Sequence, residues 1–135
     1  MDANILLDIT LKRESYPISK KIIELVLQRE VQAFITPSIV HILGYWLAKA
    51  YGNAKAKELL LSLRADIKVI DTNHEITVIA LHSKIRDIED ALQYYTAIQL
   101  KLDYFISRDK SLLKDAIPSL PVYTPDEFLK LTLSA

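Results

Sequence analysis

Short apolar runs alternate along this chain with longer stretches in which apolar residues recur at helical spacing. The short runs predict strands at residues 31–35, 67–70, 104–106 and 121–123. Strands that alternate with helices are typical of a parallel sheet whose two faces are covered. The pattern therefore predicts an α/β fold with a parallel, doubly wound sheet and helices on both faces.

Amphipathic stretches place the helices between these strands. A helix is expected after Pro17, and others at residues 39–51, 54–63, 75–82 and 87–101. Pro37 stands at a helix start, Gly52 at a helix end, and Thr124 with Pro125 opens a last helix. Ligands of such sheets bind at the carboxyl ends of the strands, so candidate chemistry is sought there.

Length and charge limit the number of domains and the kind of partner. The chain has 135 residues, which suits a single domain over residues 1–135. Lysine plus arginine and aspartate plus glutamate each number 17, so the net charge is zero. A nucleic-acid partner must therefore be held by local basic groups.

Residue types that are rare or missing exclude several classes of site. There is no cysteine, which excludes disulfides and thiolate metal sites and favours a cytoplasmic protein. Two glycines cannot build the glycine-rich loops that bind nucleotide phosphates. The long uncharged run at residues 31–48 contains polar residues and a proline, so no membrane segment or signal peptide is expected.

Acidic residues lie near the predicted strand ends. Asp2 opens the chain, Asp90 lies early in a helix, and Asp109 follows the strand at residues 104–106. Carboxylates gathered in one cleft bind hard cations such as Mg²⁺ or Mn²⁺. Such an ion would activate a water and neutralise the charge that develops on a phosphodiester. A divalent-metal hydrolase is the resulting hypothesis.

Three residue strings carry more information than their spacing. They are the opening D-A-N-I-L-L-D at residues 2–8, D-I-E-D-A-L-Q at residues 87–93, and D-Y-F-I-S-R-D at residues 103–109. They resemble the D-T-N-x-L-L-D, D-x-x-D-A-L-Q and D-Y-x-[IV]-[TS]-R-[ND] strings of PIN domains, in the same order. The closing residues 122–128 are also similar to the family's usual end.

The resemblance implies a five-stranded parallel sheet, metal-dependent endoribonuclease activity, and the role of a VapC-type toxin with a cognate antitoxin. Asp2, Asp90 and Asp109 match three of the family's four acidic metal positions. The remaining matches are supporting residues, namely Asn4 beside the first aspartate, Asp87 beside Asp90, and Ser107 with Arg108 ahead of the last acid. Arg13, Arg108 and Lys110 are the basic groups expected to contact RNA phosphates.

The chain departs from the family pattern in two ways. His41 occupies the fourth acidic position, and a neutral imidazole adds no negative charge and shifts the preference from Mg²⁺ towards Mn²⁺. Only Met1 precedes Asp2, where relatives have the apolar residues of a central strand. Either that strand is curtailed or the true start lies upstream of Met1.

Several simpler interpretations stay open. Asp2 could be a frayed terminal charge, and Asp87, Glu89 and Asp90 could only complement a helix dipole. His41 could be a packed core histidine. The rival to an active nuclease is a PIN-like domain with a degraded site that binds RNA or protein. A regulatory domain that binds Mg²⁺ without hydrolysis is a third reading, although Asp2 follows no strand that could carry a phosphoacceptor.

The helix at residues 39–51 carries a further expectation. Two aromatic pairs lie on predicted helices, Tyr45 with Trp46 here and Tyr94 with Tyr95 further along. We interpret both pairs as core or dimer packing rather than as platforms on which RNA bases stack. The apolar helix leaves few polar positions to face water. A homodimer is therefore predicted.

Overall fold

The computed structural model describes residues 1–14 and 16–133. It divides into two compact units, Met1–Val69 and a second unit that begins at Ile70. Each unit holds one parallel strand pair and its own buried core. The single domain over residues 1–135 stays a prediction.

The first unit packs four helices around the pair β1–β2. Its elements are α1 Ala3–Thr10, α2 Tyr16–Leu27, β1 Ala33–Ile35, α3 Pro37–Tyr51, α4 Asn53–Leu63 and β2 Ile67–Val69. The two strands run parallel, with Ala33 opposite Ile67. Ile39, Leu43 and Leu47 form a fully buried stripe on α3 at the spacing of successive helical turns.

Local sequence chemistry sets the ends of α3. Pro37 takes the first helical position, where a missing backbone N–H costs nothing. Gly52 ends the helix at φ +88°, a left-handed conformation that favours glycine, and its N–H donates to the carbonyl of Ala48 at 2.8 Å. The predicted helix start and helix end are both confirmed.

A buried polar pair joins α1 to α2. The Ser19 hydroxyl donates to the Asp8 carboxylate at 2.8 Å, and both side chains are buried. A buried carboxylate needs hydrogen-bond donors, since its desolvation is otherwise costly. Asp8 therefore has a structural role in the first unit.

The second unit surrounds the pair β3–β4. Its elements are α5 His74–His82, α6 Ile88–Gln99, β3 Phe105–Ile106, α7 Lys110–Asp115, β4 Val122–Tyr123 and α8 Pro125–Leu133. Phe105 lies opposite Val122 in parallel register. A capping box opens α8, because Glu127 accepts from the backbone N–H of Thr124 and the Thr124 hydroxyl accepts from that of Glu127. The predicted helix start at Thr124 is confirmed.

Tyr94 is the centre of the second core. Its side chain is fully buried and packs edge-on against Phe105, with ring centroids 5.5 Å apart. Its hydroxyl donates to the carbonyl of Leu120 at 2.6 Å and accepts from the N–H of Ile117 at 2.8 Å. Tyr94 therefore ties α6 to the segment that leads into β4, and its predicted core role is confirmed.

The predicted strands are confirmed in position and in parallel direction, but they are short. The described residues form two parallel pairs, one per unit, so the five-stranded sheet stays a prediction. No strand precedes Asp2, because α1 begins at Ala3. The amino group of Met1 donates to the carbonyl of Phe34 at 3.2 Å, which places this first residue beside β1. None of the described helices is both long and apolar enough to cross a bilayer.

Candidate metal centre

The start of α6 gathers three carboxylates. Asp87 is the N-cap of this helix, and one of its oxygens accepts from the backbone N–H of Asp90 at 2.9 Å. Oxygen atoms of Asp87, Glu89 and Asp90 lie within 4.8 Å of one another. Glu89 accepts a hydrogen bond from Gln93, one turn along the helix. The first turn of α6 thus concentrates hard oxygen ligands.

Asp90 differs from its two neighbours in its burial. Its side chain is 7% exposed, whereas Asp87 is exposed and Glu89 is half-buried. A helix N-terminus favours negative charge, because the unpaired backbone N–H groups carry partial positive charge. The helix dipole therefore accounts for three acids at this position but does not by itself require that one be buried.

Asp109 lies in the loop after β3. The fully buried Ser107 hydroxyl accepts from the backbone N–H of Asp109 at 3.0 Å, which fixes the turn between them. Asp109 then caps α7 by accepting from the N–H and the hydroxyl of Ser111, at 2.9 and 2.7 Å. A side-chain hydrogen bond also joins Asp109 to Asp90.

The hydrogen bonds to Asp109 change its acidity. The Ser111 hydroxyl and then the Asp90 side chain hold the pKa of Asp109 below its ordinary value. Asp109 is therefore a carboxylate at neutral pH, as a ligand for a hard cation must be.

Residues predicted for the site also cluster at the start of the first unit. Asp2 is the N-cap of α1 and accepts from the backbone N–H of Asn4 at 3.3 Å. The Asn4 side chain accepts from the guanidinium of Arg13 at 3.0 Å. Arg13 therefore lies close to the start of α1, where a phosphate group beside Asp2 would meet a positive charge.

His41 lies on α3 and is exposed. The interpretation of His41 as a packed core histidine is therefore wrong. Tyr45 and Trp46, one turn further along, are 58% and 40% exposed, so they do not pack in the core, and the alternative of dimer packing stays a prediction. Both residues expose their rings because the buried stripe of α3 lies on its other side, at Leu43 and Leu47.

Comparison with known protein families identifies the family to which this chain belongs. A family model described as a PIN domain matches residues 1–111, a segment that contains all of these acidic residues. The chain belongs to the PIN domain family. A search of curated proteins found no match.

A solved structure shares the fold of this PIN domain protein. It is a chain of the crystal structure of VapBC2 from Rickettsia felis bound to a DNA fragment from their promoter. The TM-score is 0.65 at 16% sequence identity, over 90% of this chain and 94% of that chain. The likeness covers both units of the chain and shows a PIN-like α/β fold.

The acids of this PIN domain suit a hard divalent cation. The ligand atoms in the second unit are all carboxylate oxygens, which Mg²⁺ and Mn²⁺ prefer. The Asp90 side chain helps to lower the pKa of Asp109, so the two acidic groups lie near each other. The residues present therefore fit such an ion, with Asp90 and Asp109 at its centre.

The structure brings together most of the residues predicted from the second unit, and it adds two. Hydrogen bonds join Asp87 to Asp90 at the start of α6 and Ser107 to Asp109 in the loop after β3. Glu89 and Ser111 are the additions. The acidic string at residues 87–90 already contains Glu89, and a serine two residues after an aspartate is a local signal for a helix cap.

Proposed function

We propose that this PIN domain protein is a divalent-metal-dependent endoribonuclease, with Asp2, Asp90 and Asp109 as its metal ligands. The observation that supports this most is the contact between Asp90 and Asp109 beside the carboxylates of Asp87 and Glu89. When bound, Mg²⁺ or Mn²⁺ would activate water and neutralise charge on the phosphodiester. The convergence of Asp2 with the two other ligands is part of the proposal.

The basic residues near these acids take the role of phosphate ligands. Arg108 lies between Ser107 and Asp109, and Lys110 is the first residue of α7. Arg13 is held beside α1 by its hydrogen bond to Asn4. A guanidinium binds phosphate oxygens through a planar fork of N–H groups, so these side chains would orient an RNA strand along the acidic residues.

The fold shared with a chain of the VapBC2 complex supports a more specific role. We propose that the protein is the toxin of a toxin–antitoxin pair, located in the cytoplasm and held inactive by a cognate antitoxin protein. Co-expression with the product of a neighbouring short gene, followed by co-purification, tests this proposal. Failure to find any such partner gene beside this one would contradict it.

His41 favours a second candidate function, a PIN domain with a weakened site that binds RNA or protein. The resemblance to the PIN pattern puts His41 at the fourth acidic position, where an exposed imidazole supplies no negative charge. Metal affinity then falls, and the remaining preference moves towards Mn²⁺.

A metal series separates the two functions. We expect weak cleavage of single-stranded RNA that is stronger with Mn²⁺ than with Mg²⁺, and we expect His41→Glu to raise cleavage with Mg²⁺ about tenfold, since it restores a hard ligand. His74→Glu is the matched control, because His74 is an exposed histidine in the first turn of α5. A wild type that is inactive with every ion, beside an active His41→Glu variant, would identify a degraded nuclease.

The homodimer remains part of this proposal. Tyr45 and Trp46 form an exposed edge-to-face pair with centroids 5.3 Å apart, and the Lys49 ammonium lies 5.6 Å from the Trp46 ring centre. Exposed aromatic residues of this kind are enriched at protein interfaces. We expect a dimer by sedimentation velocity, and we expect Trp46→Glu to weaken it at least about tenfold. A wild type that sediments as a monomer at high concentration would refute the dimer.

A further inference from the structure

A polar pocket opens at the amino ends of β1 and β2 in the first unit. Its volume is about 410 Å³, and its walls are the turns from α2 into β1 and from α4 into β2. Ligand pockets typically measure about 300–1,000 Å³, so a small organic molecule fits. The candidate metal residues follow the carboxyl ends of strands or open helices, and none of them lines this pocket.

Five charged side chains line the pocket. Three are cations, Arg29, Arg64 and Lys68, and two are acids, Glu30 and Asp66. Across residues 1–14 and 16–133, none of these side chains forms a hydrogen bond or an ion pair with another residue. All five are exposed, so their donors and acceptors are open to a ligand that enters the pocket.

Arg29 is held in an unusual backbone conformation. It follows the end of α2 at φ +60°, in the left-handed region that favours glycine. Its N–H donates to Val26 and the N–H of Glu30 donates to Leu25, both at 3.0 Å, as in the helix end where glycine is the usual residue. This helix end brings the start of the segment at residues 29–32 to the pocket.

We propose that this pocket binds a nucleotide. The phosphate would contact the three cations, whose charge exceeds that of the two acids by one (3 − 2 = 1). Ribose hydroxyls would donate to Glu30 and Asp66, since carboxylates accept hydrogen bonds from sugar hydroxyls. The base would lie against Val31, an apolar residue of the pocket wall that is only partly buried.

The mixture of groups selects a nucleotide over a bare anion. The carbonyl ends of α2 and α4 carry partial negative charge and lie near the pocket, since Arg64 is the C-cap of α4. Together with the two carboxylates they disfavour a ligand that offers only acceptors. A nucleotide supplies donors from its ribose and its base as well as a phosphate. Its source is either a free mononucleotide or one nucleotide of an RNA strand.

Titration of the full chain with adenosine 5′-monophosphate, followed by backbone amide NMR, tests the proposal. We expect shifts in the amides of residues 29–32 and 64–68, and about tenfold weaker binding in Arg64→Ala. Arg29→Gly is expected to weaken binding to a similar degree while raising the melting temperature, because glycine relieves the strain. If Arg29 had only a structural role, its replacement would not weaken nucleotide binding while raising the melting temperature.

Lys101→Gly is the matched control. Lys101 follows α6 at φ +55° with the same hydrogen-bond pattern, from its own N–H to Ile98 and from that of Leu102 to Ala97. It lies in the second unit and does not line the pocket. We expect Lys101→Gly to raise the melting temperature and to leave nucleotide binding unchanged.

A competition experiment in the Asp90→Asn background distinguishes the two nucleotide sources. A short single-stranded RNA that displaces the mononucleotide from these amides assigns the pocket to RNA, and RNA that does not displace it assigns the pocket to a free nucleotide. The proposal is overturned if no amide of the pocket shifts at about 10 mM mononucleotide. It is also overturned if inorganic phosphate binds as tightly, or if Arg29→Gly and Arg64→Ala bind like the wild type.

Discussion

Replacing Asp90 with asparagine is expected to lower RNA cleavage about 100-fold or more, to below detection, while the protein stays folded. The change removes one negative charge from a buried position beside Asp109 and keeps the shape of the side chain. The new amide can still donate to the Asp109 carboxylate, so the contact between α6 and the loop after β3 is retained. Cleavage of labelled single-stranded RNA measures the effect, and circular dichroism checks the fold.

Asp126→Asn is the matched control for the loss of charge. Asp126 is an exposed aspartate in the first turn of α8, so its replacement perturbs a helix N-terminus in the same unit without touching the acids. Its cleavage rate should equal that of the wild type. Cleavage that survives in Asp90→Asn would show that the metal ligands have been assigned to the wrong residues.

Replacing Tyr94 with phenylalanine is expected to lower the free energy of unfolding by about 2 kcal/mol. The hydroxyl is the acceptor for the N–H of Ile117 and the donor to the carbonyl of Leu120, and Tyr94 is fully buried. Its removal leaves backbone groups without their partner. Chemical denaturation monitored by circular dichroism measures the change. Tyr95→Phe is the control. Because Tyr95 is only half-buried, this substitution should lower the free energy of unfolding by less than about 0.5 kcal/mol.

The same hydroxyl makes the stability depend on alkaline pH. Burial raises the pKa of Tyr94 above its ordinary value, and this exceeds the opposing effect of the Ile117 N–H. A raised pKa in the folded state means that the Tyr94 hydroxyl loses its proton at a higher pH in the folded protein than in the unfolded chain. The associated stability is complete below about pH 10 and declines as the pH rises further. Tyr94→Phe should lose this decline, and an unchanged alkaline slope would contradict the assignment.

Helix positions could be predicted from the sequence because their signals are local. Asn73 accepts from the N–H of Ile76 at 2.9 Å and opens α5, and Thr124 opens α8 by a capping box. Such caps depend on residues three or four positions apart, so the order of amino acids contains the whole interaction. The short helix α7 was not predicted, since only Leu112 within it is buried and its six residues have little periodicity.

The exposure of α3 could not be predicted in the same way. A helical period identifies which residues share a face, but which apolar residues find a partner depends on the packing of the other elements. Leu43 and Leu47 are buried, whereas Tyr45 and Trp46 are exposed on the same helix. Hydrophobicity alone assigns all four to the interior.

The site in the second unit was predicted largely by residue strings at strand and helix ends. The strings identified Asp90 and Asp109, and the Asp90 side chain helps to lower the pKa of Asp109 in the structure. Their role as metal ligands stays a prediction. Glu89 was interpreted only as a complement to the helix dipole, because sequence spacing does not give the distances among neighbouring carboxylates. The position of Asp2 relative to these acids stays a prediction.

Three of the predicted acids share one further property, since Asp2, Asp87 and Asp109 are all helix N-caps. Each has an oxygen fixed by a backbone N–H, so its rotamer is ordered before any ion arrives. Ordering a free side chain at the moment of binding costs about 0.5–1.5 kcal/mol, and here folding has already met that cost. Within the second unit, the helix starts at Asp87 and Asp109 thus hold two carboxylates in fixed orientations.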